Sequence, residues 1–466
     1  MSGTRAISGI DLHVDVSGTR VSRSLEKALR EAVTGGRLPA GTRLPSARTL
    51  AADLGIARNS VAEAYGQLAA EGRLVSRVGA GTWVAERPGK ADPARLPEPA
   101  PAPALDLRGG IPDTSAFPRE AWAAAVRRAL ARTPSADLGY GGPQGSPVLR
   151  EALAGYLART RGVRSASAGI LVGNGFGDLL AATCRLLYDT GVRRIAVEEY
   201  GHGLHRRIAR AQGLETVAVP VDEEGADVGL LDRLGAGAVL LTPAHQFPTG
   251  AVLSAERRRA LARWACETGG LVLEDDYDGE FRYDRRSAGA LQALAPDRVL
   301  YFGTASKALA PAVGLAWAAV PPHMCDGLAL QRELSGGGHN LLGQLALAEF
   351  LSSHQYDRTV RRLRGRYRAR GRAVASAVSS LEGFSVRAPE AGLHCLVVLP
   401  PRVREEDAVA EAARRGLLLE GLSSFADGGS GRHRGAVVVG HGASAPHLFS
   451  RALEVFSAAM AAAGRA

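Results

Sequence analysis

Leu271-Val-Leu-Glu-Asp-Asp-Tyr-Asp-Gly-Glu-Phe281 and, further on, Val299-Leu-Tyr-Phe-Gly-Thr-Ala-Ser-Lys-Ala-Leu-Ala-Pro311 are each a short apolar run, rich in Val and Leu, that ends in polar residues. Such a run marks a strand buried in a parallel sheet. The carboxyl ends of these strands are where α/β folds place ligands. Of the 57 Lys and Arg residues, only Lys27, Lys90 and Lys307 are lysines. A chain that uses arginine almost everywhere else thus keeps a primary amine at 307. A primary amine can form an imine with an aldehyde, and a guanidinium cannot.

The acid and phenol upstream complete a chemical set. An aldehyde cofactor with a pyridine ring, such as pyridoxal 5'-phosphate (PLP), needs an amine for its aldehyde and an acid to keep the ring nitrogen protonated. Asp275 can supply the acid, and Tyr277 a hydrogen bond to the ring oxygen. The words Thr242-Pro-Ala-His-Gln-Phe-Pro-Thr-Gly250, Glu274-Asp-Asp-Tyr-Asp-Gly-Glu-Phe-Arg-Tyr283 and Ser306-Lys-Ala-Leu-Ala-Pro311 resemble those of fold-type-I aminotransferases, and more closely those of MocR-type regulators in the GntR superfamily. The resemblance implies a Schiff base on Lys307 in a PLP site that also uses Asp275, Tyr277, Gly175, Phe176, His202, Thr304 and Ser306. It further implies a homodimer in which Tyr140 serves the partner's cofactor site.

The 466 residues are enough for two or three domains and a large core. No apolar run approaches the roughly eighteen residues that span a bilayer, and Met1 to Ala40 lacks a signal-peptide core, so a soluble cytoplasmic protein is expected. Cys184, Cys266, Cys325 and Cys395 form no Cys-x-x-Cys pair and read as reduced, packed thiols. The nearest metal-like spacing is His202-x-x-His205, which is not read as a ligand pair, and no metal site is expected. A formal charge of +10 favours a polyanionic partner.

Before residue 85 the pattern is helical. Val21, Leu25, Ala28, Leu29, Ala32 and Val33 make one stripe, stopped by Gly35-Gly36. Ser46 is a plausible N-cap for a short helix through Leu54, and Gly55 its C-terminal stop. Another helix starts at Arg58 and ends at Gly72, and Leu74 to Val84, with Gly79-Ala-Gly81 inside, reads as a two-stranded wing. Leu38 to Val84 resembles the GntR-type winged helix-turn-helix over its full length. That likeness assigns contacts with duplex DNA to Arg43, Ser46, Arg48, Arg58, Asn59, Ser60, Gly79 and Gly81. Ala57 stands where the family usually has Ser or Thr, which removes a helix cap.

Glu86 to Ala104 holds six prolines and no apolar period, and reads as an extended linker with a reach of roughly 60 Å. From Leu105 onward, strand-like and helical pieces alternate in the manner of βαβ units. Gly110-Ile-Pro-Asp, Tyr140-Gly-Gly-Pro-Gln-Gly and Arg161-Gly-Val match the opening of the aminotransferase-like half of MocR-type regulators. From about Pro321, an Arg-rich helix and short strands such as His394-Cys-Leu-Val-Val resemble the small domain of fold type I. The fold expected is therefore multidomain: a winged helix-turn-helix (1–85), a linker (86–104) and an α/β fold-type-I PLP-dependent aminotransferase-like domain (105–466), divided at about 320.

Several departures from the family concern ligand binding, one being His202 where relatives generally have a tyrosine lining the cofactor pocket. Gly314 stands where relatives carry an arginine after the Schiff-base lysine, and Asp178 lies near the phosphate loop at Gly175 and Phe176, so weaker PLP binding is expected. The segment Ala436-Val-Val-Val-Gly-His-Gly lacks the arginine that grips a substrate carboxylate in aminotransferases, leaving Arg432 or Arg434 as candidates. The reading is a DNA-binding transcription regulator that senses PLP, or a small amine or amino acid, through a Lys307 aldimine. Two alternatives stay open: a PLP-dependent aminotransferase with an appended DNA-binding module, and a regulator whose sensor has lost PLP.

Overall fold

A computed structural model describes residues 4–7, 10–15, 21–77, 81–85, 105–283, 289–336, 340–387, 391–427 and 435–465. The expected linker, Gly79, Arg432 and Arg434 lie outside them. The chain divides into two compact units, Met1–Pro101 and Ala102–Ala466.

The first unit carries helices α1 (Val21–Thr34), α2 (Ala47–Leu54) and α3 (Arg58–Ala70) and strands β1 (Arg43–Leu44), β2 (Leu74–Arg77) and β3 (Gly81–Val84). Leu25, Leu29, Leu50, Leu54, Val61 and Leu68 close a core between the helices. Ser46 caps α2 by accepting from the Thr49 N–H at 3.1 Å, and Gly55 ends it at φ 64°. Ala57 opens α3 with no side-chain cap, as the sequence implied. The sheet has three strands in the order β1-β3-β2, whereas two were expected. Two residues are too few for Arg43–Leu44 to show any period in the sequence. An antiparallel pair, Thr4–Ile7 with Ile10–Asp15, was also not foreseen.

The second unit is built on a seven-stranded sheet. Its strands are β4 (Ile170–Gly173), β5 (Arg194–Glu198), β6 (Glu215–Val219), β7 (Ala238–Leu241), β8 (Leu271–Asp275), β9 (Val299–Thr304) and β10 (Ala316–Ala319), in the order β4-β10-β9-β8-β7-β5-β6. The run from β9 to β6 is parallel, and β10 is antiparallel to both its neighbours. Both faces are covered. Leu271, Leu273, Leu300 and Phe302 pack on one side beneath helix α5 (Phe176–Asp189), while Val272 and Val299 pack on the other against Leu261 and Trp264. Two buried faces explain why these strands read as continuous apolar runs. A smaller antiparallel sheet joins Ser385–Arg387, His394–Val398, Ala436–Gly440 and Glu420–Gly421. Leu105–Asp106, which opens the unit, pairs with Leu417–Leu418 and so packs with this C-terminal layer.

Where β8 ends, three carboxylates in succession are buried by three different devices. Glu274 accepts the backbone N–H groups of Leu291 (2.8 Å) and Gln292 (3.0 Å). Asp275, on the face of Leu271 and Leu273, opens into a cavity. Asp276 takes a bidentate contact from Arg161, the last residue of α4 (Pro147–Arg161), at 2.6 and 3.1 Å, and the Tyr301 hydroxyl at 2.6 Å. Arg161 and Asp276 are 4 % and 1 % exposed at their side chains, so removing one partner strands a buried charge. Asp276→Ala is expected to cost about 3 to 5 kcal/mol. A wild-type denaturation transition for the second unit of this variant would contradict that role.

Candidate functional site

Strands β5, β7, β8 and β9 are parallel, so their carboxyl ends open on one edge of the sheet. That edge lines a cavity of about 380 Å³ with Glu198, Thr242, Asp275 and Thr304. Ser306, Lys307, Tyr277, His202 and Phe176 line it as well. Seven expected site residues therefore meet in one place. Gly175 lies immediately before Phe176, at the N-cap of α5. Tyr140 does not join them: in the single chain it is fully exposed and lines a separate groove.

Lys307 follows β9 and donates from Nζ to the Gly110 carbonyl at 2.7 Å. Desolvation lowers its pKa, while Asp278 and Asp275 oppose the shift. Asp275 is 5 % exposed and accepts no hydrogen bond among the described residues. Burial, with Asp276 beside it, pushes its carboxyl well above the usual range, and Lys307 pulls the other way. A cationic ring nitrogen in the cavity would supply the partner this buried acid lacks. The Tyr277 hydroxyl lies 3.1 Å from His245 Nδ1. His202 caps helix α6 (Gly203–Ala211) by accepting the Leu204 N–H at 3.3 Å, and stacks on His205 with centroids 4.9 Å apart.

The amine and the acid thus suit a pyridine aldehyde. The phosphate end is built from other materials. Among the described lining residues the only Lys or Arg besides Lys307 is Arg206, which donates to the Phe425 carbonyl at 2.8 Å and lies 3.7 Å from Asp427. What remains is the first turn of α5 from Phe176, whose N–H groups point out of the helix start, together with the Thr304 and Ser306 hydroxyls 3.0 Å apart. Gly175 sits at φ 136°, a conformation that needs glycine. The expected repulsion from Asp178 is corrected by its contacts. Its carboxylate pairs with the buried Arg332 and accepts the Asn174 N–H at 2.8 Å, so its charge is neutralised within the protein. Gly314 has φ 62° at the end of the turn Pro311–Val313, so an arginine there would meet a left-handed backbone at a cost of about 1 to 2 kcal/mol.

Sequence reading missed the polar support behind the cavity. Glu198 accepts from the Thr242 hydroxyl at 2.6 Å and from Gln246 Nε2 at 3.2 Å. Gln246 also donates to the Tyr200 and Phe247 carbonyls. Those bonds explain the Thr and Gln in the stretch 242–250, the one signal that could have revealed them.

A second candidate site lies on the first unit. Arg58 and Asn59, both exposed, and the half-buried Ser60 form the first turn of α3. Arg43 and Arg48 are exposed on β1 and α2. The Ser46 hydroxyl is engaged in capping. Arg43 and Arg77 lie over the Trp83 ring at 5.7 and 5.9 Å, with Gly81 at the start of β3.

Comparison with known proteins places both units. Residues 21–84 match the family described as bacterial regulatory proteins, gntR family, and residues 104–426 the family aminotransferase class I and II. The chain is 35 % identical over 424 residues to the HTH-type pyridoxine biosynthesis transcriptional regulator PdxR of Corynebacterium glutamicum, covering 90 % of this chain and 91 % of the relative. It is 34 % identical over 419 residues to the probable rhizopine catabolism regulatory protein MocR of Rhizobium meliloti, covering 84 % of each. The fold of the second unit is that of Pyrococcus horikoshii kynurenine aminotransferase, with a TM-score of 0.68, 22 % identity, and 77 % of this chain and 91 % of the other covered.

Burial pushes the Glu198 and Glu274 carboxyls up to about 7. An acid whose pKa is higher folded than unfolded binds more protons in the native state, so its contribution to stability falls as pH rises from about 4.5 to about 7. Glu198→Gln should therefore give a shallower loss of thermal stability across that window than wild type. Parallel pH profiles for the two proteins would contradict the assignment.

Proposed function

Since the chain belongs to the HTH-type transcriptional regulators in which a gntR-family domain precedes an aminotransferase class I and II domain, we propose that it is a regulator acting in the cytoplasm. Residues 1–85 hold a duplex DNA operator, a linker spans 86–104, and residues 105–466 sense PLP or a small amine or amino acid, with large and small parts dividing near 320. The observation that carries this reading is the Lys307 amine in one cavity with the buried Asp275 carboxyl, which accepts no hydrogen bond among the described residues. A relative named for pyridoxine biosynthesis supports a B6 compound as its ligand.

When bound, PLP supplies an aldehyde that an amine can capture and a ring that accepts electron density. Lys307 supplies that amine, and its lowered pKa favours the neutral form that can attack. Asp275 would hold a proton on the ring nitrogen. Tyr277 hydrogen-bonds the ring oxygen while His245 orients its hydroxyl. His202, which lines the cavity, would face the ring, and the N–H groups at Phe176 with the Thr304 and Ser306 hydroxyls would hold the phosphate. An amine or amino-acid effector would enter the same cavity. It shifts the sensor by binding its two states unequally. That, among the described residues, Arg206 is the only arginine lining the cavity and is engaged with Phe425 and Asp427 favours weak, exchangeable binding, and at its limit the reading in which PLP is lost.

The chain works as a homodimer, in which Tyr140, exposed here beside Val148 on an open groove, completes the partner's site. On DNA, Arg58 at the start of α3 and Arg48 on α2 reach base edges or phosphates while Gly81 borders the wing.

Two experiments test this. Borohydride reduction of protein mixed with PLP should fix the cofactor on Lys307, and Lys307→Ala should abolish the adduct; a wild-type chain that traps none at millimolar PLP defeats the sensor reading. Arg58→Ala should weaken DNA binding by about 1 to 3 kcal/mol if the arginine reads a base, or flatten the salt dependence if it holds phosphate. Unchanged affinity and unchanged salt slope together would count against the DNA assignment.

A further inference from the structure

Adjoining the cavity through Tyr277 and Phe247 is a polar cluster of which the function above uses only His245, and that only through its contact with the Tyr277 hydroxyl. His245 comes from the loop after β7, Asp278 from the turn after β8, and His394 opens the strand His394–Val398 of the smaller sheet. All three are buried, at 2 %, 2 % and 0 % exposure. The His245 and His394 rings have centroids 4.9 Å apart, and His245 Nδ1 lies 2.8 Å from Asp278 Oδ2. One nitrogen from each histidine and one oxygen of Asp278 all fall within 4.8 Å of one another. Gly392 closes over them so tightly that a Cβ there would sit 2.3 Å from His245 Cε1 and 2.4 Å from Asp278 Oδ2. The three donors come from separate elements, yet they converge.

The cluster is also unsatisfied. His245 Nε2 and both ring nitrogens of His394 complete no hydrogen bond, although the Pro248 carbonyl lies near His394. Buried polar nitrogens are ordinarily paired, because an unpaired one has given up its hydration with nothing in return. Here three such atoms share one pocket of the fold with a carboxylate. Two imidazoles and one carboxylate are a ligand set that suits zinc and its transition-metal neighbours, and a 2+ ion would find counter-charge in Asp278.

We propose that His245, Asp278 and His394 form a binding site for a divalent transition-metal ion of the zinc class, set behind the cavity and joined to it through the Tyr277 hydroxyl. The site bridges the 242–278 edge of the large sheet and the first residue of a strand in the smaller one, so the ion ties the two layers together. It does not depend on whether the cavity takes PLP.

The test uses the full chain, stripped with a chelator, desalted, and then given Zn2+ or Co2+ alone. About one ion per chain should stay bound through gel filtration, and Co2+ should show the visible absorption of a low-symmetry site. His394→Phe should lower metal affinity by more than about tenfold. His394→Cys, which offers a thiolate in place of the imidazole, should keep the ion and add a thiolate-to-cobalt band. That rescue reports on ligation even where the phenylalanine variant folds poorly. A wild-type chain that retains neither ion, or a His394→Cys protein with bound cobalt but no thiolate band, overturns the proposal.

Discussion

The contact between Arg161 and Asp276 is the constraint on which the rest of the second unit's chemistry depends. Strand alternation puts Asp275 and Asp276 on opposite faces of β8, and a buried carboxylate without a partner would neutralise or pull the strand end apart. Arg161 and Tyr301 hold Asp276, while the backbone of Leu291 and Gln292 holds Glu274. With both neighbours fixed, Asp275 is left facing the cavity opposite Lys307, and Tyr277 and Asp278 are set beyond it. Lys307 is positioned in the same way, since it follows the adjacent parallel strand and its amino group donates to the Gly110 carbonyl. The cavity thus collects its polar groups through strand register, with no need for a long loop to deliver them.

What could be read in advance from the sequence follows the range of the interactions. Ser46 and Gly55 bound α2 because capping acts over three or four residues, and the absence of a cap at Ala57 is equally local. The runs at Leu271 and Val299 announce buried strands because both sheet faces are covered. The strand Ala316–Ala319 was hidden, since a run of small residues around one Trp fits helix or strand alike. No local pattern tells that Leu105–Asp106 will pair with Leu417–Leu418, or that Asp178 will be neutralised by Arg332. For the site, the grouping of Lys307, Asp275 and Tyr277 in one cavity could be anticipated because their residue types are rare or adjacent in sequence. Glu198, Gln246 and His394 were not, because their roles arise only when distant elements meet.

The two halves of the cavity differ in how they are built. The amine and acid are side chains with displaced pKa values, each shift caused first by burial. The end proposed to take a phosphate offers a helix start and two hydroxyls, while Arg206 and Arg332 are engaged with Phe425 and Asp178. Such an arrangement suits a reversible ligand better than a permanently anchored one, since a charge-assisted contact is worth roughly twice a neutral hydrogen bond. In a regulator, exchange at the cavity is useful only if it changes how the first unit meets DNA. That requires a coupling free energy between two sites on separate units.

The most direct measurement of that coupling is operator affinity at fixed salt, taken with and without PLP and then with a candidate amine, for wild type and Lys307→Ala. The account predicts a change of about 5- to 150-fold in wild type and none in the Lys307 variant, whose DNA affinity without ligand should match wild type. Identical affinities for wild type under all conditions, or an equal ligand response in the variant, would contradict it.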